Sequence, residues 1–136
     1  MPLVHRDVLA RLCRARDALR ETTDCPPSIQ QVARQAGIST FHFIRLFKAC
    51  FGETPHQVRV QAQIERAKRL LFASEQSVTD ICLEVGFSSL GSFSYAFSQR
   101  VGLSPSRYQE RVRRLVREKG EMELTPGCLT LLTALK

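Results

Sequence analysis

Residues 28–40, SIQQVARQAGIST, and residues 77–89, SVTDICLEVGFSS, state one pattern twice, at an offset of 49 (77 − 28). Each opens on a serine, follows it with an apolar residue, sets a second apolar residue four places beyond the serine, and reaches a glycine, Gly37 or Gly86. Both copies then run to a phenylalanine (Phe47, Phe97), a glycine (Gly52, Gly102) and a proline three places later (Pro55, Pro105), now at an offset of 50 (97 − 47). One residue has therefore been inserted between Gly86 and Phe97.

Each copy predicts a helix, a tight turn and a second helix. Ser28 and Ser77 suit N-cap positions, where a hydroxyl accepts a hydrogen bond from an orphan amide of the first turn. Ile29, Val32, Ala33 and Ala36 make an apolar stripe at spacings of three and four, matched by Val78, Ile81, Cys82 and Val85. Gly37 and Gly86 stand where a positive φ ends one helix and turns the chain toward the next. Ser39 and Ser88 are placed to cap the second helices, whose inward faces read Phe43, Leu46, Phe47 and Phe93, Ala96, Phe97. This is the sequence form of a helix-turn-helix, whose second helix enters the DNA major groove while the first braces it. A packed helical hairpin has the same outline, but two matching copies in a basic chain argue against coincidence.

Working outward, Val4, Val8, Leu12, Ala15 and Leu19 make a stripe opposed by Arg6, Arg14 and Arg20, and TTDCPPS (22–28) ends that helix with two prolines. Between the copies, Pro55 opens a helix to about Ala73 with Val60, Ile64, Ala67 and Leu71 on one face. After the second copy, Pro105 opens another, with Tyr108, Val112 and Leu115 on one side and Arg107, Arg111 and Arg114 on another. The expected fold is all-α, with about seven helices forming two helix-turn-helix subdomains in a homeodomain-like tandem. The first covers 1–54, a long connector helix 55–73, the second 74–119, and a tail of unassigned role 120–136.

The totals agree. A chain of 136 residues with 43% hydrophobic content suits one compact domain or two very small subdomains sharing a connector. Its 20 Lys+Arg against 13 Asp+Glu give a net charge of +7, which favours a polyanionic partner, nucleic acid before acidic membrane. The five cysteines, Cys13, Cys25, Cys50, Cys82 and Cys128, form no C-x-x-C pair, are odd in number and lie apart from His5, His42 and His56. No disulfide framework, zinc site or other cofactor is expected. No apolar run approaches the roughly 18 residues of a membrane span, so no membrane partner is expected and a reducing cytoplasm is.

The second copy, SVTDICLEVGFSSLGSFSYAFSQRVGLSPSRYQERVRR, with GFSS, the later Phe97 and GLSPSRYQ, resembles the DNA-binding domain of AraC/XylS transcription regulators. The resemblance covers about Arg6 to Arg114. It implies two helix-turn-helix units on a rigid connector, placing two recognition helices in successive major-groove segments of double-stranded promoter DNA. A connector of about 18 residues is about 27 Å long, against a groove repeat of about 34–36 Å, so one chain can span an asymmetric site as a monomer.

On the first recognition helix, opened by Thr40, the face opposite Phe43 and Phe47 is Phe41, Ile44, Arg45 and Lys48. The family's base-contacting positions map onto Phe41, Ile44 and Arg45. Arg45 is suited to guanine O6 and N7, and Phe41 and Ile44 to thymine methyls. At the corresponding positions the second helix presents Leu90, Gly91, Ser92 and Tyr95, with Gln99 a turn further on, where the family often has long polar or basic side chains. GFSSLGSFSYAF (86–97) has no charge at all. The first unit is therefore expected to read sequence, and the second to grip backbone through Ser88, Ser89, its helix N-terminus, Gln99 and Arg100, with Tyr95 reading one base at most.

The connector has Gln63 where the family usually places an arginine. Arg66, Lys68 and Arg69 are candidates for phosphate contact or a solvated face. Arg107, Arg111, Arg113, Arg114 and Arg117 are candidates for a solvated face, phosphate contact or a surface for RNA polymerase. Full-length relatives usually carry an effector or dimerisation domain, so the chain resembles either stand-alone members or a regulator's DNA-binding fragment. An interaction module with only non-specific DNA binding is a further alternative. Some DNA repair proteins join such a domain to a methyl-accepting, zinc-bound cysteine, but that chemistry needs a thiolate cluster, so no catalytic residue is expected.

Overall fold

The computed structural model describes residues 4–21 and 25–119; the tail from 120 lies outside them. Among the described residues there are seven helices and no strand. They are α1 (Arg6–Arg20), α2 (Ile29–Gln35), α3 (Thr40–Phe51), α4 (Pro55–Ala73), α5 (Val78–Glu84), α6 (Leu90–Val101) and α7 (Pro105–Lys119). The chain divides into two compact units, Met1–Gln63 and Ile64–Lys136, with the boundary inside α4.

In the first unit, Leu12, Ala15 and Leu19 of α1 meet Val32 and Ala33 of α2, Phe43 and Phe47 of α3 and Val58 of α4 in one buried cluster. The Phe43 and Phe47 rings lie 5.6 Å apart, and Phe47 meets Phe51 edge-on at 4.7 Å. The second unit buries Ile64, Ala67 and Leu71 of α4, Ile81, Cys82 and Val85, Phe93, Ala96 and Phe97, and Tyr108 and Val112. There the rings run Phe87, Phe93, Phe97, Tyr108, with successive centres 5.3, 5.8 and 5.4 Å apart. Truncating one such buried phenylalanine to alanine typically costs about 3–5 kcal/mol, comparable to much of a small domain's stability.

The two units repeat each other in detail. Ser28 and Ser77 cap α2 and α5, each hydroxyl accepting from the amide three residues on, Gln31 or Asp80, at 3.1 Å. The Gln31 side chain returns the bond by accepting from the Ser28 amide at 2.8 Å, completing a capping box. Gly37 and Gly86 carry the turn at φ 72° and 95°, the left-handed region that a Cβ disfavours.

The inserted residue changes one expectation. Ser88 does not cap α6; Ser89 does, accepting from the Ser92 amide at 3.2 Å. The extra residue sits in the turn, which runs Gly86–Phe87–Ser88–Ser89 against Gly37–Ile38–Ser39, so α3 and α6 are both 12 residues long and correspond at an offset of 50 (90 − 40) throughout. Phe87 packs on Phe93 and anchors the longer turn. Ser39 holds the N-cap position of α3, but its side chain makes no cap bond.

Both short helices are held at each end by side chains from neighbouring helices. Arg11 of α1 donates to the Ala36 carbonyl at the C-terminus of α2, at 3.2 Å. In the second unit Arg66 reaches the Glu84 carbonyl at 3.5 Å and the Glu84 carboxylate at 3.6 Å. At the other ends, Arg59 donates to the Pro27 carbonyl and Gln109 to the Gln76 carbonyl, the latter at 3.0 Å. Arg59 and Gln109 are themselves equivalent positions (109 − 59 = 50), as are the carbonyls just before the two serine caps.

Candidate nucleic-acid interface

With Phe43 and Phe47 fully buried, α3 turns Phe41, His42, Ile44, Arg45 and Lys48 outward, while Thr40 at its start is half-buried. Phe41 is 71% exposed, a large apolar surface on the outside of the helix. The Arg45 guanidinium carbon lies 5.6 Å from the centre of that ring, one turn further along. That distance is within cation–π range, and the arginine is exposed and makes no ion pair among the described residues. No acidic residue lies on α3, and its two cations, Arg45 and Lys48, both face out.

The outward face of α6 is Leu90, Gly91, Ser92, Tyr95, Gln99 and Arg100, preceded by exposed Ser88 and Ser89. Leu90 is 45% and Tyr95 70% exposed. The serine hydroxyls are partly engaged by the helix itself: Ser89 and Ser92 hydroxyls are 2.9 Å apart, besides the cap bond. Ser88, released from capping, stands exposed in the turn. A side chain at Gly91 would meet nothing within 4 Å, so the fold leaves that position open.

All the residues that the sequence singled out on the two helices are thus on the surface apart from half-buried Thr40. The offset of 50 pairs Phe41 with Gly91, His42 with Ser92, Ile44 with Ser94, Arg45 with Tyr95 and Lys48 with Ser98. Sequence reasoning counted Ser92 but passed over exposed His42, and left out half-buried Ser94 and Ser98. Carrying the repeat offset through both helices would have found all three.

The basic residues elsewhere sort differently from expectation. Arg66 pairs with Glu84, and Lys68 with Glu65 at 3.5 Å, so of the three connector cations named as phosphate candidates only Arg69 stands exposed. The pairing is intramolecular because acidic groups lie one turn away or on α5, within reach of long side chains. On α7, Arg107, Arg113 and Arg117 are exposed, Arg114 bridges to Glu110 at 3.4 Å, and Arg111 is half-buried. Cys82 is a core residue whose thiol donates to the Ser89 carbonyl at 3.5 Å, and burial pushes its pKa up, away from the reactive thiolate. No group of three metal-ligating side chains occurs among the described residues, and none of their helices is long and apolar enough to cross a membrane.

A helix-turn-helix domain profile matches residues 32–111, more than half of the chain. A Chromobacterium violaceum regulator of AraC-type DNA-binding architecture superposes with a TM-score of 0.66 at 25% identity, covering 85% of this chain and 99% of the other. The chain belongs to the AraC family of transcription regulators.

Other AraC-type domains agree. The DNA-binding domain of AdpA, solved with a target DNA, superposes with a TM-score of 0.64 at 26% identity over 85% of this chain and 100% of that one. The MmsAB operon regulatory protein of Pseudomonas aeruginosa is 39% identical over 95 residues, 70% of this chain and 31% of the relative. The chain spans about a third of the length of the curated AraC-family relatives it matches. These relatives are transcription regulators, not enzymes.

Proposed function

We propose that the chain regulates transcription by binding double-stranded promoter DNA as a monomer, with α3 and α6 in successive major-groove segments and with α3 doing most of the base reading. Support for DNA as the partner comes from family membership and from the similar AdpA domain having been solved in complex with a target DNA. The division of labour rests on one observation: equivalent positions carry Phe41, Ile44 and Arg45 in α3 but Gly91, Ser94 and Tyr95 in α6.

Arg45 donates two parallel hydrogen bonds to guanine O6 and N7, while Phe41 and Ile44 press on thymine methyls. Lys48, a turn further on, meets phosphate. In the second unit Ser88, Ser89 and the N-terminus of α6 lie against the sugar-phosphate backbone, where contacts position the protein without reading sequence, while Leu90, Gly91 and Ser92 face the bases with little reach. Gln99 and Arg100 extend that grip, and Tyr95 reads a single base. The exposed arginines of α7 serve either phosphate or RNA polymerase.

The test is selection of bound sequences from a random duplex library by the purified chain, at about 0.15 M salt with competing non-specific DNA. One strong box, with a weak or absent second box about one helical turn away, supports the reading. Two equally strong boxes overturn the asymmetry but keep the function. No enrichment overturns sequence-specific binding and favours a module with charge-driven binding alone.

A further inference from the structure

We propose that Arg59 is a positioning residue for base readout by α3, a role that rests on the reading above and specifies what holds its reading helix in place. Arg59 lies in the second turn of α4. Its guanidinium reaches the Pro27 carbonyl, immediately before the Ser28 cap that opens α2. Its Nε is buried without a hydrogen-bond partner, and burial lowers its pKa from the usual arginine value. The side chain is half-buried, with its Nε enclosed and its guanidinium on this carbonyl.

The contact acts on α3 through α2. The second helix of the first unit is only seven residues long, and α3 packs against it. Two turns of helix resist tilting poorly by themselves, so the orientation of α2 depends on what grips its ends. Arg11 holds the C-terminal carbonyl of Ala36, and Arg59 the N-terminal approach. Bidentate base contacts tolerate errors of only about 0.5 Å, whereas phosphate contacts tolerate far more. Loosening Arg59 should therefore reduce discrimination between sequences before it reduces attraction to DNA as such.

The second unit supplies the internal comparison. At the equivalent position Gln109 makes the equivalent bond to the Gln76 carbonyl with a neutral amide. Charge-assisted bonds are roughly twice as strong as neutral ones, so the firmer tie belongs to the unit with the reading face, and the weaker to the unit whose outer helix carries glycine and serine. Arg59→Gln gives the first unit the tie of the second.

The experiment measures, for full chains, the ratio of affinities for the selected duplex and for random-sequence duplex at fixed salt, together with thermal melting. In Arg59→Gln the ratio should fall about tenfold, with random-duplex affinity changed less than about twofold. Arg59→Lys, which keeps a charged donor, should restore more than half of the ratio. Gln109→Leu should weaken both affinities alike and leave the ratio unchanged. The proposal is overturned if Arg59→Gln binds both duplexes less well in the same proportion as Gln109→Leu does, because Arg59 would then serve stability alone. Should Arg59→Gln melt below the assay temperature, all the ratios are measured at a lower temperature at which it is folded, and the same outcomes decide. If the wild type itself prefers no sequence, the readout reading fails and this role with it, an outcome visible before any variant is made.

Discussion

The Arg45 guanidinium sits 5.6 Å from the centre of the Phe41 ring, four residues earlier on the exposed face of α3. An exposed cation over an aromatic face gains about 0.5–1 kcal/mol. Here its consequence is orientation, because a guanidinium steadied before DNA arrives loses less freedom on forming a bidentate contact. Phe41→Ala should weaken binding to the preferred duplex by about 1–2 kcal/mol. Because the ring is 71% exposed, melting should hardly change. Isothermal titration beside a thermal melt checks both.

Arg45 and Tyr95 hold equivalent places on their helices, so they test the asymmetry between the units. Arg45→Ala should cost about 1–3 kcal/mol on the selected duplex and erase the preference for one base pair. Tyr95→Ala and Ser92→Ala should leave the selected motif nearly intact. Sequence selection with all three variants decides it, and equal relaxation by Tyr95→Ala would sink the division of labour.

The extra residue in the second turn makes a stability test of neighbouring serines. Ser89→Ala removes the side chain that accepts from the Ser92 amide and should cost about 1 kcal/mol. Ser88→Ala, in the turn and exposed, should cost almost nothing. Ser28→Ala should match Ser89→Ala or exceed it, since it breaks a capping box, while Ser39→Ala loses no cap bond. Urea unfolding of the four variants reads the pattern directly.

Tyr108 is 1% exposed, and its hydroxyl has no hydrogen-bond partner among the described residues. Burial, with the Glu65 carboxylate adding to it, pushes its pKa from 10.0 up to about 12. The fold therefore favours the neutral phenol. Above about pH 10 the unfolded chain gains by ionising and the folded chain does not. The stability Tyr108 contributes is thus full below pH 10 and is lost as pH rises toward 12, by up to about 2–3 kcal/mol. Tyr108→Phe should be as stable as wild type or more so at pH 8. It should also lack that part of the alkaline loss in urea titrations from pH 9 to 11.5.

Much of the architecture was legible because it is local. Serine caps act on amides three residues away, glycine turns act on their own φ, and stripes such as Leu12, Ala15 and Leu19 recur with the helical period. The repeat itself placed Phe41, Ile44, Arg45 and Tyr95 on exposed faces, since knowing Phe43, Phe47, Phe93 and Phe97 point inward settles what points away. Less was legible where two local choices are nearly equal. Ser88 and Ser89 are both able to cap a helix, and it is the folded chain, with Phe87 packed on Phe93 in the turn, that shows Ser89 in the cap position.

By itself the sequence determined seven helices, two matching helix-turn-helix units and the family to which they belong, because periodicity, capping and turn chemistry are written within a few residues of each other. The tertiary structure alone decided which cations remain for a partner and what steadies the bracing helices. Arg66 turns to Glu84, Arg59 to the Pro27 carbonyl and Gln109 to the Gln76 carbonyl, across separations of 18, 32 and 33 residues. Contacts of that range exist only once helices have packed, so no pattern along the chain announces them.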